Sequence, residues 1–459
     1  MPPSLATLLT VSFIFVLFRR DFHRQGEVSA ALWLPVSWMT ITTTRFVSQW
    51  INLGSGQSVS MAEGSPVDAL YFSILIMAGM RILALRRVVV GDILRNNPWM
   101  AAFFIYSFLA IAWSDFPFVA FKRYIKILGH PVMALIILSD PDPVNAFRTV
   151  MKRCAYIIMP LSVLLIKYYP QYGRGFDAWV GGATNNGAML TKSELGLGCM
   201  LFGLFFLWNL LTARRIEDSR IRREELLLST GFLCMIGWLL HMAQSSTSLV
   251  TFLIGAATIS MIGMPIINKR FIGTYVVVAG LVAVWAEFTF DVYDTVVKLL
   301  GKNPTLTDRT EVWEDCLALA SHPLFGEGFE SFWLGERLDI LWAKWWWQPN
   351  QAHNGYIETY LNTGIIGVFL LVGLLISTFR KIRIDLLSDF DFARLRLAFL
   401  FAIIFYNYTE ATFKGVSIVW TVFHIIAIEY PRPLKTRTEQ VVQHQRRFRY
   451  SQFRYKKTS

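Results

Sequence analysis

Apolar residues run in long blocks along this chain, without the period-2 alternation of a half-buried strand. The blocks fall near 3–18, 31–50, 68–84, 98–114, 119–138, 152–168, 193–211, 228–243, 248–267, 272–290, 358–379, 395–410 and 415–430. Roughly 20 residues of helix cross a bilayer core, and only helices and closed barrels satisfy the backbone there. The pattern therefore predicts an all-α polytopic membrane protein with about 12–13 transmembrane helices. The first block is short and the second carries a Thr cluster and Arg45, so these two are the least regular crossings. The expected organisation is a first helix bundle over 1–290, a long and partly helical loop over 291–357, closing helices over 358–430 and a tail over 431–459.

Composition agrees, because 54% of the residues are hydrophobic and only 17% charged. A soluble domain carries about 25% charge, and a disordered chain needs far more polar residues. The formal net charge of +12 is unevenly spread, and Lys and Arg near span ends mark the cytoplasmic side. Arg19 and Arg20, Arg86, Arg87 and Arg95, the five arginines between 214 and 223, Lys269 and Arg270, and Arg380, Lys381 and Arg383 fall in alternate loops. The tail after Pro431 continues the series with nine cations against Glu439 alone. The long loop on the opposite side, 291–356, has ten acidic and five basic residues, a balance of −5. An acidic head is thus expected outside and a basic remainder inside. No basic n-region precedes the first block and no small-residue cleavage site follows it, which predicts a retained helix rather than a signal peptide. Only Cys316 of the four cysteines lies in the long loop, so that loop has no disulfide framework of its own.

Candidate chemistry concentrates between Arg309 and Gly364. Arg309-Thr-Glu-Val-Trp313 opens a helix expected to run to Ser321 with Thr307 or Asp308 as its cap. His322-Pro-Leu-Phe-Gly-Glu-Gly-Phe329 reads as a tight turn. Trp342, Trp345, Trp346 and Trp347 suit either a membrane interface or a surface on which sugar rings stack. His353-Asn354 then leads into a span, with Gly364 eleven positions after the His.

This stretch resembles the core of the O-antigen ligase and polymerase superfamily, which includes exopolysaccharide polymerisation proteins. The resemblance rests on Arg309 followed by Trp313, on the Pro-Leu-Phe-Gly-Glu-Gly-Phe turn, and on His353-Asn354 with Gly364. It extends more loosely over about residues 98–380, through Trp113-Ser-Asp-Phe-Pro117 with Lys122 and Arg123, Lys192-Ser-Glu-Leu-Gly196, and Gln244-Ser-Ser-Thr-Ser248. Thirteen blocks depart from the twelve spans commonly drawn for the ligases.

The resemblance implies a bacterial inner-membrane glycosyltransferase with a periplasmic long loop and a cytoplasmic tail. Such an enzyme moves a glycan from undecaprenyl diphosphate to a sugar hydroxyl, inverting the anomeric centre and using no metal or cofactor. The acceptor would be lipid A-core for a ligase or a growing polysaccharide for a polymerase. His353 to Gly364 leans towards the ligase, and the Lys192 segment pulls the other way. Physical reasoning supplies matching roles. A departing diphosphate needs cations where charge develops, for which Arg309, Lys192, Arg123 and Lys122 are candidates. The acceptor hydroxyl must lose a proton, for which His353 is the candidate base and Glu311 or Glu358 a fallback. Asn354, Glu311 and Trp313 complete the expected substrate-binding set.

Asp140-Pro-Asp142 and Asp389-Phe-Asp391 match a metal-binding Asp-x-Asp pattern but lie on the expected cytoplasmic side, where helix capping explains them. The tail interleaves Phe448, Tyr450, Phe453 and Tyr455 with its cations, and anionic membrane lipids suit it better than nucleic acid. Two rivals from other classes stand beside the enzyme. A transporter or flippase for lipid-linked glycans would explain the helices and outer cations, though no internal repeat or set of mid-span charges supports it. A structural scaffold for an export complex would tolerate loss of both Arg309 and His353.

Overall fold

The structure, a computed structural model, describes residues 1–24, 29–53, 64–177, 181–290 and 309–431. Thr307, Asp308, the first part of the acidic loop and the tail beyond Pro431 lie outside the described residues. Six helices are long and apolar enough to cross a membrane: Pro66–Leu85, Pro143–Tyr168, Lys192–Ala213, Ser219–Ala243, Lys269–Phe290 and Gly355–Ser388. Pro98–Leu109, Ser246–Ile262 and Ile418–Ala427 are shorter apolar helices, while Pro3–Arg24 and Phe390–Thr409 are long but more charged. The chain is an all-α multi-pass membrane protein. At its centre stand Pro143–Tyr168 and Lys192–Ala213, whose apolar windows are 83% and 78% buried.

Three local features depart from the sequence pattern. The block 119–138 is two helices, Pro117–Ile127 and Gly129–Leu138, because Pro131 has no N–H for the Ile127 carbonyl. Trp38 seats against Gly129 at this break, where an added Cβ would meet its ring at 2.0 Å. The block 31–50 is likewise interrupted between Trp33–Thr43 and Val47–Ile51, where Arg45 donates to the Tyr172 carbonyl at 2.6 Å. Strands Arg174–Asp177 and Gly182–Asn185 pair antiparallel, with Arg174 opposite Asn185, as a small hairpin beside the bundle. Asp142 caps Pro143–Tyr168 as expected, accepting from the Asn145 N–H at 3.2 Å.

The bundle has two distinct ends. Helix Pro3–Arg24 meets Tyr169 through Thr7 at one end (2.8 Å) and Glu225 through Arg20 at the other (3.1 Å). Cations from alternate loops gather at the Arg20 end: Arg86 pairs with Asp140 at 3.4 Å, Arg215 with Asp391 at 2.6 Å, and Arg396 with Asp385. The long-loop residues occupy the opposite end.

Residues 309–354 build a small head with its own apolar cluster, in which Val312, Cys316, Phe332, Trp333, Leu338, Leu341 and Trp345 pack together. Its helices are Arg309–Ala318, ending earlier than expected, and Glu336–Lys344. The head is joined to the bundle at a break in Gly355–Ser388, where Gly364 has φ 64° and ψ −168°. Breaking a buried helix orphans backbone groups that must find other partners. The turn after His322 supplies them. Ile365 N–H donates to the Pro323 carbonyl at 2.9 Å and Ile366 N–H to the Leu324 carbonyl at 3.3 Å. In return the Leu361 carbonyl accepts from Glu327 N–H at 2.9 Å, and Tyr106 donates its hydroxyl to the Thr363 carbonyl at 3.0 Å. Only glycines fit this contact, since a Cβ on Gly364 would lie 2.2 Å from the Leu324 carbonyl oxygen and one on Gly326 would lie 2.4 Å from Thr363 N.

Gly364→Ala should therefore lower the thermal denaturation temperature of the purified protein, because a positive φ and a backbone collision each cost roughly 1–3 kcal/mol. Gly280→Ala, where an added Cβ meets nothing within 4 Å, should leave it unchanged. Equal effects of the two substitutions would refute this account of the break.

Candidate active site

Glu410, directly after helix Phe390–Thr409, joins the two leading candidates from the sequence. Its Oε2 lies 3.2 Å from His353 Nδ1 and its Oε1 3.2 Å from Arg309 Nη2. Arg309 also donates to the Thr409 carbonyl. The carboxylate side chain is 10% exposed, Arg309 20% and His353 23%, so the group is recessed but reachable. Burial alone would push the Glu410 pKa up. The hydrogen bond from His353 and the Arg309 charge outweigh it and hold the group below its ordinary value of 4.5. A carboxylate at Nδ1 fixes the imidazole tautomer with the proton on Nδ1, leaving Nε2 as an acceptor. Nε2 forms no hydrogen bond among the described residues.

The backbone around His353 is fixed from three directions. His353 has φ 49°, uncommon for a residue with a Cβ. Asn354 caps helix Gly355–Ser388, its Oδ1 accepting from the N–H groups of Tyr356 and Ile357 at 2.9 and 3.1 Å. Trp313, one turn beyond Arg309, donates its indole N–H to the Ala352 carbonyl at 2.6 Å. Glu358, 3% exposed, accepts from Ala352 N–H at 2.9 Å, from the Trp333 indole at 3.1 Å and from Lys414 at 2.9 Å. Its lone pairs are taken up in holding the His353 segment. Glu311 is exposed on the head helix.

The looser segments converge on the same end. Helix Lys192–Ala213 begins here, capped by Thr191, which accepts from Glu194 N–H at 3.2 Å. Tyr406 contacts the Ser193 carbonyl at 3.5 Å, and Thr247 meets Thr409 hydroxyl to hydroxyl at 2.9 Å. Glu194 lies within electrostatic range of Glu410 and Arg45. Lys192, at the helix start, thus shares the neighbourhood of Arg309 and His353. Ser114, of the Trp113–Pro117 segment, meets Ser331 at 2.6 Å, while Trp113 donates to the Phe325 carbonyl of the inserted turn at 3.3 Å.

Arg123 and Lys122 sit elsewhere. Arg123 donates to the Glu330 carbonyl, and Glu330 accepts from Gly415 N–H, next to Lys414, which pairs with Glu358. Lys122 lies 5.0 Å over the Phe118 ring. Of the Trp run, Trp345 donates to Asp315 at 2.9 Å, Trp346 is 63% exposed and Trp347 lies 6.0 Å from the His353 ring.

The O-antigen ligase family model matches residues 230–372. Over this stretch, about a third of the chain, the sequence is similar to the O-antigen ligase family. The matched stretch contains Arg309, Trp313, His353, Asn354, Glu358 and Gly364, whereas Lys192 and Glu410 reach the same neighbourhood from outside the matched residues. The exopolysaccharide production protein ExoQ of Rhizobium meliloti is 27% identical over 294 residues. The match covers 61% of this chain and 64% of that protein, which is less than two thirds of the relative's length.

Sequence reasoning missed Glu410 and Lys414, because 395–410 reads as one apolar block and Glu410 as its polar end. The available signal is an acid and a cation four residues apart, at the foot of a span rich in Tyr and Asn.

A depressed Glu410 pKa stabilises the fold above the ordinary value of 4.5 and loses that contribution as pH falls through the lower folded value. Glu410→Gln should therefore melt below wild type at neutral pH. The gap should narrow as the buffer is taken below 4.5. A gap that is constant across this range would contradict the ionised Glu410 described above.

Proposed function

We propose that the chain is a membrane glycosyltransferase that transfers a glycan from undecaprenyl diphosphate to a sugar hydroxyl at the end of the bundle carrying the head, which we take as the periplasmic face of a bacterial inner membrane. The observation that carries this reading is the Glu410 carboxylate held between His353 and Arg309.

In the proposed reaction His353 Nε2 takes the acceptor hydroxyl proton as that oxygen bonds to the anomeric carbon. The bond from that carbon to the diphosphate oxygen breaks, and its electron pair leaves on the diphosphate. One displacement inverts the centre. Glu410 accepts from Nδ1–H and stabilises the imidazolium as it forms. Arg309 and Lys192 supply positive charge, Lys192 at the first position of a helix whose N-terminal N–H groups add to it. Trp313, Asn354 and Glu358 position the histidine. Trp346 and Trp347 offer ring faces to a sugar or to the lipid boundary.

Two acceptors fit this chemistry, lipid A-core for a ligase and the growing chain for a polymerase. The likeness to an exopolysaccharide production protein favours the polymerase. Reconstitution of the purified protein with undecaprenyl-diphosphate-linked glycan, with and without lipid A-core, distinguishes them. Lengthened chains from donor alone mark a polymerase, and transfer only to core marks a ligase. His353→Ala should reduce either product by about 100-fold or more while the protein still inserts, its melting temperature falling only by what the loss of one Glu410 partner costs. Arg309→Ala should act similarly, with partial recovery in Arg309→Lys. Glycolipid crossing liposome membranes with no new glycosidic bond would replace the enzyme reading with the transporter.

A further inference from the structure

A second polar site lies at the far end of the bundle. Helix Lys192–Ala213 starts beside Arg309 and His353, and its last turns line a cavity of about 690 Å³ between the ends of four helices. Ser193 and Asn209 are sixteen residues apart on that helix, about 24 Å at 1.5 Å per residue, so the cavity is separate from the candidate active site.

The cavity is lined by cations and acids in similar number, and its acids are engaged. Glu225 accepts from Lys152 at 2.7 Å, from Arg20 at 3.1 Å and from Asn209 at 3.3 Å. Asp21 pairs with Arg153 at 2.8 Å. Asp218 caps its helix through the N–H groups of Arg220 and Ile221 at 2.9 and 3.1 Å. Glu224 lies 3.6 Å from Arg20 and 3.4 Å from Arg220.

Arg148 is the exception among these cations. It forms no ion pair or hydrogen bond among the described residues, and its buried Nε has no acceptor. Its guanidinium lies 4.9 Å from the Trp208 ring, and Trp208 is itself held by the Asp391 carbonyl at 2.5 Å. This cation–π contact restrains the guanidinium, and Lys152 follows four residues later on the same helix face. A held planar fork with unmet donors, beside a second cation and in a polar cavity, has the form of a phosphate receptor.

We propose that this cavity binds a phosphate ester, with Arg148 as its principal contact and Lys152 beside it. The phosphate comes either from an anionic phospholipid headgroup entering between the helix ends or from a soluble phosphate. This site does not depend on the glycosyltransferase reading, and its test uses binding alone.

The probes are dioctanoyl phosphatidylglycerol and inorganic phosphate, each titrated into the detergent-purified full chain and read by native mass spectrometry. Arg148→Gln should weaken phosphatidylglycerol binding by about tenfold or more, the scale of one charged hydrogen bond. Arg215→Gln, which removes an exposed cation at the same end, should leave it near wild type. Thermal denaturation of each variant, read beside its binding, separates lost binding from a lost fold, because Arg148 also packs on the Trp208 ring. Competition by inorganic phosphate identifies a soluble ligand. Its failure to compete, with the lipid still dependent on Arg148, identifies the headgroup. Unchanged binding in Arg148→Gln, equal loss in Arg215→Gln, or binding of neither probe by wild type would overturn the proposal.

Discussion

A buried backbone group must find a hydrogen-bond partner, and this structure is organised around one helix break that would leave several without one. At Gly364 the helix that carries His353 at its start gives up its regular ladder, and the turn from Pro323 to Gly328 supplies the missing partners. The head is therefore not a loose loop above the bundle. Its own apolar cluster, the inserted turn and the Trp113–Pro117 segment form one connected unit. That unit fixes the height and rotation of residues 353–363. Placing a reactive side chain within a fraction of an ångström requires such support from rigid elements.

The helices were legible in the sequence because an apolar block about 20 residues long matches the thickness of a bilayer core and suits little else. The end at which cations collect was legible for the same kind of reason, since charge near span ends is read by count alone. The Gly364 break was not, because a glycine within an apolar span looks like any other glycine of a packed membrane helix. Only the turn that fills the break reveals it, and that turn lies some forty residues earlier in the chain. The division of 119–138 had a visible cause in Pro131 that the apolar run concealed. The hairpin was too short and too polar to register as strands.

The candidate site was legible in part. Arg309, Trp313 and His353 were marked by residue type and spacing, and the structure gathers them within one neighbourhood. Lys122 and Arg123 were chosen by the same criterion of an outer cation, and they hold a different part of the fold. Glu410 was invisible because its partners are 57 and 101 residues away in sequence, so no local pattern links them.

Three carboxylates near the histidine also separate by environment, which bears on which group would carry a proton in the proposed transfer. Glu358 is buried, its Oε1 accepting from Lys414 and Asn362 and its Oε2 from Trp333 and the Ala352 N–H, so its lone pairs are taken up. Glu311 is exposed, and no bond among the described residues orients it for a near-attack geometry. Glu410 is bonded on both oxygens, but one of its partners is an imidazole whose second nitrogen is left to act. A proton taken at Nε2 places positive charge on a ring already hydrogen-bonded to an anion, and Arg309 keeps that anion ionised without competing for the same oxygen. In the proposed transfer the assisting carboxylate is thus the one at His353 Nδ1, on the opposite side of the ring from Nε2.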